Sequence, residues 1–145
     1  MKKIVIFTGN ELRHLFIHNY FIKSKIKLLK TFSETTDQDI KKRLGNNFKN
    51  NSILKKHFKL RDESEKVFFN EIKKNNLKKI KFINKGEINS EKIFKEIIKL
   101  NPDLIISFGC SLINDRIIKK FKKKIINIHL GISPYYRGSG TNIWT

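Results

Sequence analysis

The feature that most constrains the fold of this chain is the alternation of short apolar runs with longer segments of helical spacing. Residues 3–8 form a β-branched and aromatic run that ends at Gly9 and Asn10, which is the pattern of a buried strand. From Glu11 onward the apolar residues recur at helical spacing, so the first strand leads directly into a helix. The same change of period recurs along the chain.

Further strands and helices are predicted from these two patterns. Strands are expected at residues 26–32, 79–84, 103–108 and 124–129. Helices are expected within residues 52–76, with Val67, Phe68 and Ile72 inward, at 90–100, with Ile93, Phe94, Ile97 and Ile98 on one face, and at 113–121, with Ile113, Ile117, Ile118 and Phe121 aligned. Residues 33–51 are polar and turn-rich, and they are predicted to form a loop or a short helix.

Connections of about a dozen residues or more between successive strands require parallel pairing. The predicted fold class is therefore α/β, an open, mostly parallel, Rossmann-like sheet with helices on both faces. A length of 145 residues suits one domain. Ligands bind outside the carboxyl ends of the strands in such sheets, which directs attention to residues 8–10, to residues 108–112 and to the segment after Ile128.

The net charge of +19 suggests an anionic partner, but the composition offers a simpler explanation. The chain holds 27 Lys, 24 Ile and 15 Asn and no Ala, a set that an A/T-rich coding bias produces. The Lys residues are spread along the whole chain and do not form one stripe, so a dedicated nucleic-acid surface is the less favoured interpretation. No apolar run approaches the roughly 18 residues of a membrane helix, and the apolar N-terminal run is too short for a secretory signal. We expect a soluble, cytoplasmic protein with no membrane partner.

Several familiar sites are disfavoured by their spacing. The first strand–helix turn has one Gly, Gly9, where a dinucleotide fingerprint needs three. His14 and His18 are four residues apart, but neither a following Glu nor a third ligand stands nearby, so no metal is expected and both are predicted to be surface or half-buried residues. His57, among lysines, is predicted to be solvated. The single cysteine, Cys110, has no disulfide partner and is interpreted as a small buried hydrophobe.

The segment from Asn127 to Gly140 differs from the rest of the chain because it concentrates Gly, aromatic and Arg residues. On a strand, Asn127 and His129 lie on the same face, at the carboxyl end where ligands bind. The alternative is that His129 is a core histidine and that a tight turn follows it.

This segment resembles the folate-dependent formyltransferase family, which includes methionyl-tRNA, glycinamide ribonucleotide and sugar N-formyltransferases. The resemblance rests on Asn127-x-His129, on a Gly–Ser–Pro loop and on Tyr136-Arg137-Gly138. Residues 101–113 resemble the family's central strand and the turn after it. The first 100 residues match the family only in their strand–helix pattern.

The resemblance implies transfer of a formyl group from N10-formyltetrahydrofolate to an amine. The expected catalytic residues are Asn127 and His129, which can donate to the developing oxyanion, and His129 can also relay the proton of the amine. Residues expected to bind the folate are Phe108, Gly109, Leu112, Gly131, Ser133 and Pro134. Residues expected to contact the acceptor are Thr8, Gly9, Asn10 and Arg137, the last either binding an anionic group or holding the loop in place.

The family also has a catalytic Asp some tens of residues after the His, whereas no acidic residue follows Asp115 here. The resemblance therefore implies that residues 1–145 are the N-terminal part of a catalytic domain, inactive alone, with any homo-oligomer formed through a C-terminal region. The expected acceptor is a small amine on a nucleotide-linked sugar, and the second candidate is methionyl-tRNA. A family member that binds without catalysis, and a non-catalytic nucleic-acid-binding α/β module, stay open as alternatives.

Overall fold

The computed structural model describes residues 1–35, 45–46, 49–69, 77–131 and 135. Its strands are β1 (Lys3–Gly9), β2 (Lys27–Glu34), β3 (Ile80–Ile83), β4 (Leu104–Phe108) and β5 (Ile125–Asn127). Its helices are α1 (Leu12–Lys23), α2 (Ser52–Phe68), α3 (Glu91–Leu100) and α4 (Asp115–Lys120), with single 3-10 turns at Leu77–Lys79 and Glu87–Asn89. Within these ranges no helix is long and apolar enough to cross a bilayer.

The five strands form one parallel sheet in the order β3-β2-β1-β4-β5, which confirms the predicted fold class. The chain moves outward in one direction through β2 and β3 and then returns to the other side of β1 with β4 and β5. The strand order therefore reverses between β1 and β4, and the crevice at their carboxyl ends is the place where sheets of this kind bind ligands. In register, Thr8 lies beside Phe108, and Ser107 lies beside Asn127.

Each face of the sheet carries its own core, because alternate side chains of a buried strand point to opposite faces. The face that packs on α3 and α4 is the larger; its buried residues are Val5, Phe7, Phe32, Ile83, Ile88, Ile93, Ile97, Ile105, Ile117 and Phe121. The face that packs on α1 is smaller; its buried residues are Ile4, Ile6, Ile17, Leu28 and Ile106.

Helix α2 differs from the prediction in which residues it buries. Val67 and Phe68 were expected to point inward, but their exposed fractions are 71% and 81%, while Phe58 is buried. Ile72 lies outside the described residues. The inward assignment of Val67 and Phe68 was wrong, because α2 packs against α1 in a way that leaves these two side chains in solvent.

The apolar faces of α3 and α4 are likewise narrower than predicted. Ile93 and Ile97 of α3 are fully buried, but Ile98 is exposed. In α4 the same contrast separates Ile117, which is fully buried, from the exposed Ile118. In each helix one line of residues joins the core of the sheet and the flanking positions stay in contact with solvent.

Two strand ends also differ from the prediction. Strand β2 continues through Ser33 and Glu34, both buried, where a loop was predicted. Strand β5 stops at Asn127, two residues before the predicted end. Its neighbour β4 ends at Phe108, where Gly109 turns the chain away with a φ of 65°. His129 therefore has no strand residue beside it, and the alternation of side chains along a strand does not determine its direction.

Candidate active site

A cavity of about 600 Å³ opens at the carboxyl ends of β4 and β5, within the size range of small-molecule sites. Its lining includes five of the residues that the sequence singled out, namely Phe108, Gly109, Leu112, Asn127 and His129. The rest of the lining is largely apolar and comes from His14, Ser107, Cys110, Ser111, Ile113, Ile118, Ile125, Ile128 and Leu130. The predicted catalytic pair and half of the predicted folate-binding residues therefore surround one space.

Asn127 is oriented by its neighbour in the sheet. The Ser107 hydroxyl, on a residue that is 3% exposed, donates to Asn127 Oδ1 over 3.1 Å, and the Ile126 carbonyl lies 3.4 Å from the same hydroxyl. Because the amide oxygen is engaged, the Nδ2 group is the part of the Asn127 side chain that can donate to a ligand.

His129 lies on the segment that follows β5, and it is exposed, so the alternative of a core histidine is wrong. Its Nδ1 is 2.9 Å from the Gly131 carbonyl. A carbonyl only accepts, so Nδ1 carries the proton, and in the neutral ring the lone pair is on Nε2. Of the other predicted loop residues, Ser133, Pro134 and Arg137 lie outside the described residues.

His14 is buried between the two glycines of the switch point, which corrects the prediction of a surface or half-buried histidine. A Cβ at Gly9 would lie 2.5 Å from His14 Nδ1, and a Cβ at Gly109 would overlap His14 Nε2. The ring also meets Phe108 edge-to-face, with centroids 5.0 Å apart. Glycine at both turns is therefore what makes room for this imidazole.

The His14 ring is neutral at physiological pH. Burial, and then the charge of Arg13, lower its pKa to about 4. Glu11 Oε2 lies 3.6 Å from Nδ1 and favours the charged ring, but that carboxylate also pairs with Arg13, so desolvation decides the outcome. Within the described part of the chain, His14 Nδ1 has no hydrogen-bond partner.

A second cavity of about 220 Å³ lies beside the first, at the ends of β1 and β2. Its lining consists of Gly9, Glu11, Arg13, His14, Glu34, Thr35, Lys85, Gly109, Cys110 and Ser111. His14 and residues 109–111 line both cavities, so they form the boundary between them. Two basic and two acidic side chains line this second cavity, and its lining is electrically balanced.

The predicted acceptor residues occupy different positions around this second cavity. Gly9 lines it. Thr8 is fully buried, and its hydroxyl donates to the Phe108 carbonyl over 2.9 Å, which ties the ends of β1 and β4 together. Asn10 is half-buried in the turn that follows.

The single cysteine and two further histidines lie in environments of their own. Cys110 is half-buried, and burial followed by the charge of Glu34 raises the pKa of its thiol to about 12, so it stays protonated at neutral pH and is not a nucleophile. His18 is buried rather than half-exposed, and its Nδ1 lies 2.8 Å from Thr31 Oγ1. His57 is exposed, as predicted. Among the described residues, no cluster of three or more His, Cys, Asp or Glu is arranged to hold a metal ion.

A family model described as formyl transferase matches residues 2–145. The chain belongs to the formyl transferase family. The match extends the resemblance seen around Asn127 and His129 over almost the whole length, including the first 100 residues, where the sequence alone offered only a strand–helix pattern.

Two curated relatives of this formyl transferase chain act on different acceptors according to their names. Methionyl-tRNA formyltransferase of Finegoldia magna is 45% identical over 62 residues, which are 41% of this chain and 20% of that protein. GDP-perosamine N-formyltransferase of Brucella melitensis is 39% identical over 57 residues, which are 39% of this chain and 22% of that protein. The matched segments thus span about a fifth of the length of these relatives.

The fold is shared with a solved formyltransferase structure. Phosphoribosylglycinamide formyltransferase from Anaplasma phagocytophilum superposes with a TM-score of 0.57, covering 99% of this chain and 58% of that one at 12% identity. At this level of identity the likeness establishes the architecture alone.

Three residues of the candidate site have a position or a role that the sequence did not indicate. His14 was considered only as a metal ligand. Ser107 was counted as part of a buried strand, although a lone hydroxyl inside the apolar run of residues 103–108 is itself a signal. Glu34 was assigned to a loop, because the predicted β2 stopped at Phe32.

Proposed function

We propose that the formyl transferase domain to which residues 1–145 contribute passes a formyl group from N10-formyltetrahydrofolate to an amine. The observation that carries the proposal is that Asn127, His129 and the turn from Phe108 to Leu112 line one cavity of about 600 Å³ at the carboxyl edge of the sheet. A largely apolar cavity with a few convergent polar groups is typical of a small-molecule site.

Asn127 and His129 supply the groups that the reaction requires. Attack of the amine on the formyl carbon forms a C–N bond and places negative charge on the carbonyl oxygen, and the Asn127 Nδ2 group donates to that oxygen. His129 takes the proton of the attacking amine on Nε2, since Nδ1 is occupied by its bond to Gly131. Return of this proton to N10 accompanies cleavage of the bond between N10 and the formyl carbon, so the charges balance.

Folate recognition is assigned to the apolar and backbone groups of the cavity. Phe108 and Leu112 offer apolar surface to the pterin, and the backbone of Gly109 lines the same cavity. We also include Gly131, whose carbonyl lies 2.9 Å from His129 Nδ1, and, from the resemblance alone, Ser133 and Pro134, which lie outside the described residues. In this proposal Thr8 acts through the fold of the turn, because its hydroxyl is buried and bonded to Phe108.

We propose that the acceptor is an amine on a nucleotide-linked sugar, bound in the second cavity. Gly9 lines that cavity, and the Glu11 carboxylate beside it can accept hydrogen bonds from sugar hydroxyls and from an amine. The balanced charge of the lining favours a small polar molecule over a polyanion. Methionyl-tRNA is the second candidate, and it is favoured by the 45% identity to the Finegoldia magna relative.

The acceptor proposal is tested on the catalytic domain that the resemblance implies, of which residues 1–145 are the N-terminal part, by incubating it with N10-formyltetrahydrofolate and a panel of acceptors. The panel contains GDP-, UDP- and dTDP-linked amino sugars, methionyl-tRNA and an amino ribonucleotide, and formylated product is measured by mass spectrometry. We expect formylation of at least one amino sugar with kcat/KM at least tenfold above that for methionyl-tRNA. Exclusive formylation of methionyl-tRNA would replace the sugar assignment, and absence of product with every acceptor would contradict the function.

The nucleic-acid-binding alternative is separated from formyl transfer by its salt dependence. Binding through phosphate contacts weakens with salt by a log–log slope of about −0.9 per contact on duplex DNA, whereas folate binding in a largely apolar cavity changes little. We expect donor affinity to vary less than about twofold between 50 and 200 mM salt, while any duplex DNA binding falls by orders of magnitude.

A further inference from the structure

The loop of residues 109–114, between β4 and α4, forms the wall between the two cavities. It has no helix or strand of its own, yet Leu112 extends from it with an exposed fraction of 93%. A loop of this kind binds a ligand well only if its backbone is already fixed, because ordering it on binding opposes association.

Glu34 holds the first half of the loop. It is the last residue of β2, and only 3% of it is exposed. One carboxylate oxygen accepts the amide N–H of Gly86 over 2.8 Å, and the other accepts the amide N–H of Ser111 over 2.6 Å. Burying a carboxylate is costly unless it is hydrogen-bonded, and here both of its oxygens are bonded to backbone amides from different segments.

Asn89 holds the second half of the loop. Its Nδ2 group donates to the Leu112 carbonyl over 2.8 Å, and its Oδ1 accepts the amide N–H of Asn114 over 2.9 Å. The amide of this one side chain thus pairs with the loop backbone much as a neighbouring strand would. Asn114 in turn accepts the amide N–H of Ile117 and caps α4, so the bond also fixes where the helix begins.

We propose that Glu34 and Asn89 are positioning residues, which hold loop 109–114 ready to form the donor-binding wall. This inference rests on the proposed function, in which Gly109 and Leu112 contact the folate. Neither residue is assigned to the transfer chemistry. With Ser111, Leu112 and Asn114 held, the Leu112 side chain is presented to the cavity before the ligand arrives, and binding does not have to order the loop.

The test uses the substitutions Glu34→Gln and Asn89→Asp, because each preserves side-chain size and reverses one hydrogen-bonding group. Glu34→Gln places an NH2 group against one of two backbone N–H donors. Asn89→Asp keeps the acceptor for Asn114 and places a carboxylate oxygen against the Leu112 carbonyl. Glu96→Gln is the matched control, since Glu96 is a carboxylate that bonds Lys30 and Lys81 at a distance from the loop.

Two quantities are measured on each protein, namely hydrogen exchange of the Ser111 and Asn114 amides without ligand, and the KM and kcat for N10-formyltetrahydrofolate. We expect Glu34→Gln to speed exchange at Ser111 about tenfold or more, and both substitutions to raise the donor KM about tenfold while kcat changes less than threefold. Asn89→Asp, at a half-buried position, supplies the answer if Glu34→Gln does not fold. Glu96→Gln is expected to leave exchange at both amides and the donor KM unchanged.

Three outcomes would overturn the inference. Unchanged exchange at Ser111 in folded Glu34→Gln protein would show that the carboxylate does not hold the loop. Faster exchange at Ser111 in Glu34→Gln, together with an unchanged donor KM in both variants, would show a tether without a role in binding. If the unsubstituted protein neither binds nor uses the donor, the proposed function fails and the positioning role fails with it, whereas the exchange data still report on the tether separately.

Discussion

Ser107 and Asn127 lie side by side on β4 and β5, and the Ser107 hydroxyl donates to Asn127 Oδ1 over 3.1 Å. This contact turns the Asn127 amide so that its Nδ2 group is available to the cavity. A hydrogen bond between two strands therefore fixes a group that the proposed reaction needs, without itself touching the reacting atoms.

Removing this hydroxyl is expected to slow transfer without weakening donor binding. In Ser107→Ala the Asn127 amide loses the bond that selects its orientation, so we expect kcat to fall roughly 10-fold with the donor KM within about twofold. Steady-state kinetics with saturating acceptor checks this. Ser24→Ala, which removes a hydroxyl bonded to the Phe21 carbonyl at the end of α1, is the matched control, and an equal effect in both variants would contradict the role of Ser107.

Because His14 packs against Gly109, a side chain added at position 109 is expected to clash with the imidazole. The cost of this clash can be measured separately from the cost of the positive φ. Gly109 and Gly86 both have positive φ, at 65° and 82°, but a Cβ at Gly86 would meet nothing within 4 Å. We expect Gly109→Ala to lower the free energy of unfolding by about 1–3 kcal/mol more than Gly86→Ala does. Urea unfolding measures both values.

A double substitution of His14 and Gly109 tests whether the imidazole causes this loss of stability. Adding His14→Ala to Gly109→Ala removes the clash, so the excess loss of stability is expected to be reduced in the double variant relative to the sum of the single ones. Strict additivity of the two single effects would show that the imidazole and the glycine turn are not in contact.

The buried, neutral His14 predicts a pH dependence of stability. Its pKa is lowered from 6.5 to about 4 in the folded protein, so between these values the unfolded state binds more protons than the folded state. The free energy of unfolding is therefore unaffected by this titration above pH 6.5. It falls by on the order of 2–3 kcal/mol as the pH decreases toward 4.

Measuring urea unfolding from pH 7 to pH 4 in the wild-type protein and in His14→Gln checks this prediction. Glutamine does not titrate, and the other ionisable groups are common to both proteins, so the difference between the two curves reports on His14. We expect the wild type to lose stability more steeply with falling pH than the variant. Parallel curves across this window would show that His14 is not buried in its neutral form.

Much of this architecture could be predicted from the sequence, because hydrophobic periodicity is a local property. The alternation of apolar runs and helical spacing was sufficient to predict all five strands and their parallel pairing, although not their order in the sheet. The rule that ligands bind at the carboxyl ends of such strands also predicted from the sequence that Asn127, His129 and Phe108 lie close together. The ends of β2 and β5 were wrong by two residues each, since strand ends depend on the neighbouring strand.

The contacts that position the site could not be predicted, because they join residues distant in sequence. His14 looks like a surface residue on its helix until Gly109, in the turn after β4, is known to lie against it. Glu34 resembles a loop residue unless the amides of Gly86 and Ser111 are seen to satisfy its carboxylate. Polar residues that are buried through long-range bonds have the same local pattern as exposed ones.

The most direct test of the central claim is formyl transfer by the His129→Ala protein. Rates are measured with N10-formyltetrahydrofolate and the best acceptor from the panel, alongside equilibrium binding of the donor. His57→Ala serves as the control, because His57 is an exposed histidine on α2. The account predicts a rate at least about 10²-fold below wild type for His129→Ala, with donor affinity within a few-fold, and unchanged transfer for His57→Ala. A His129→Ala rate close to wild type would contradict the assignment of His129 and of the cavity as the site of transfer.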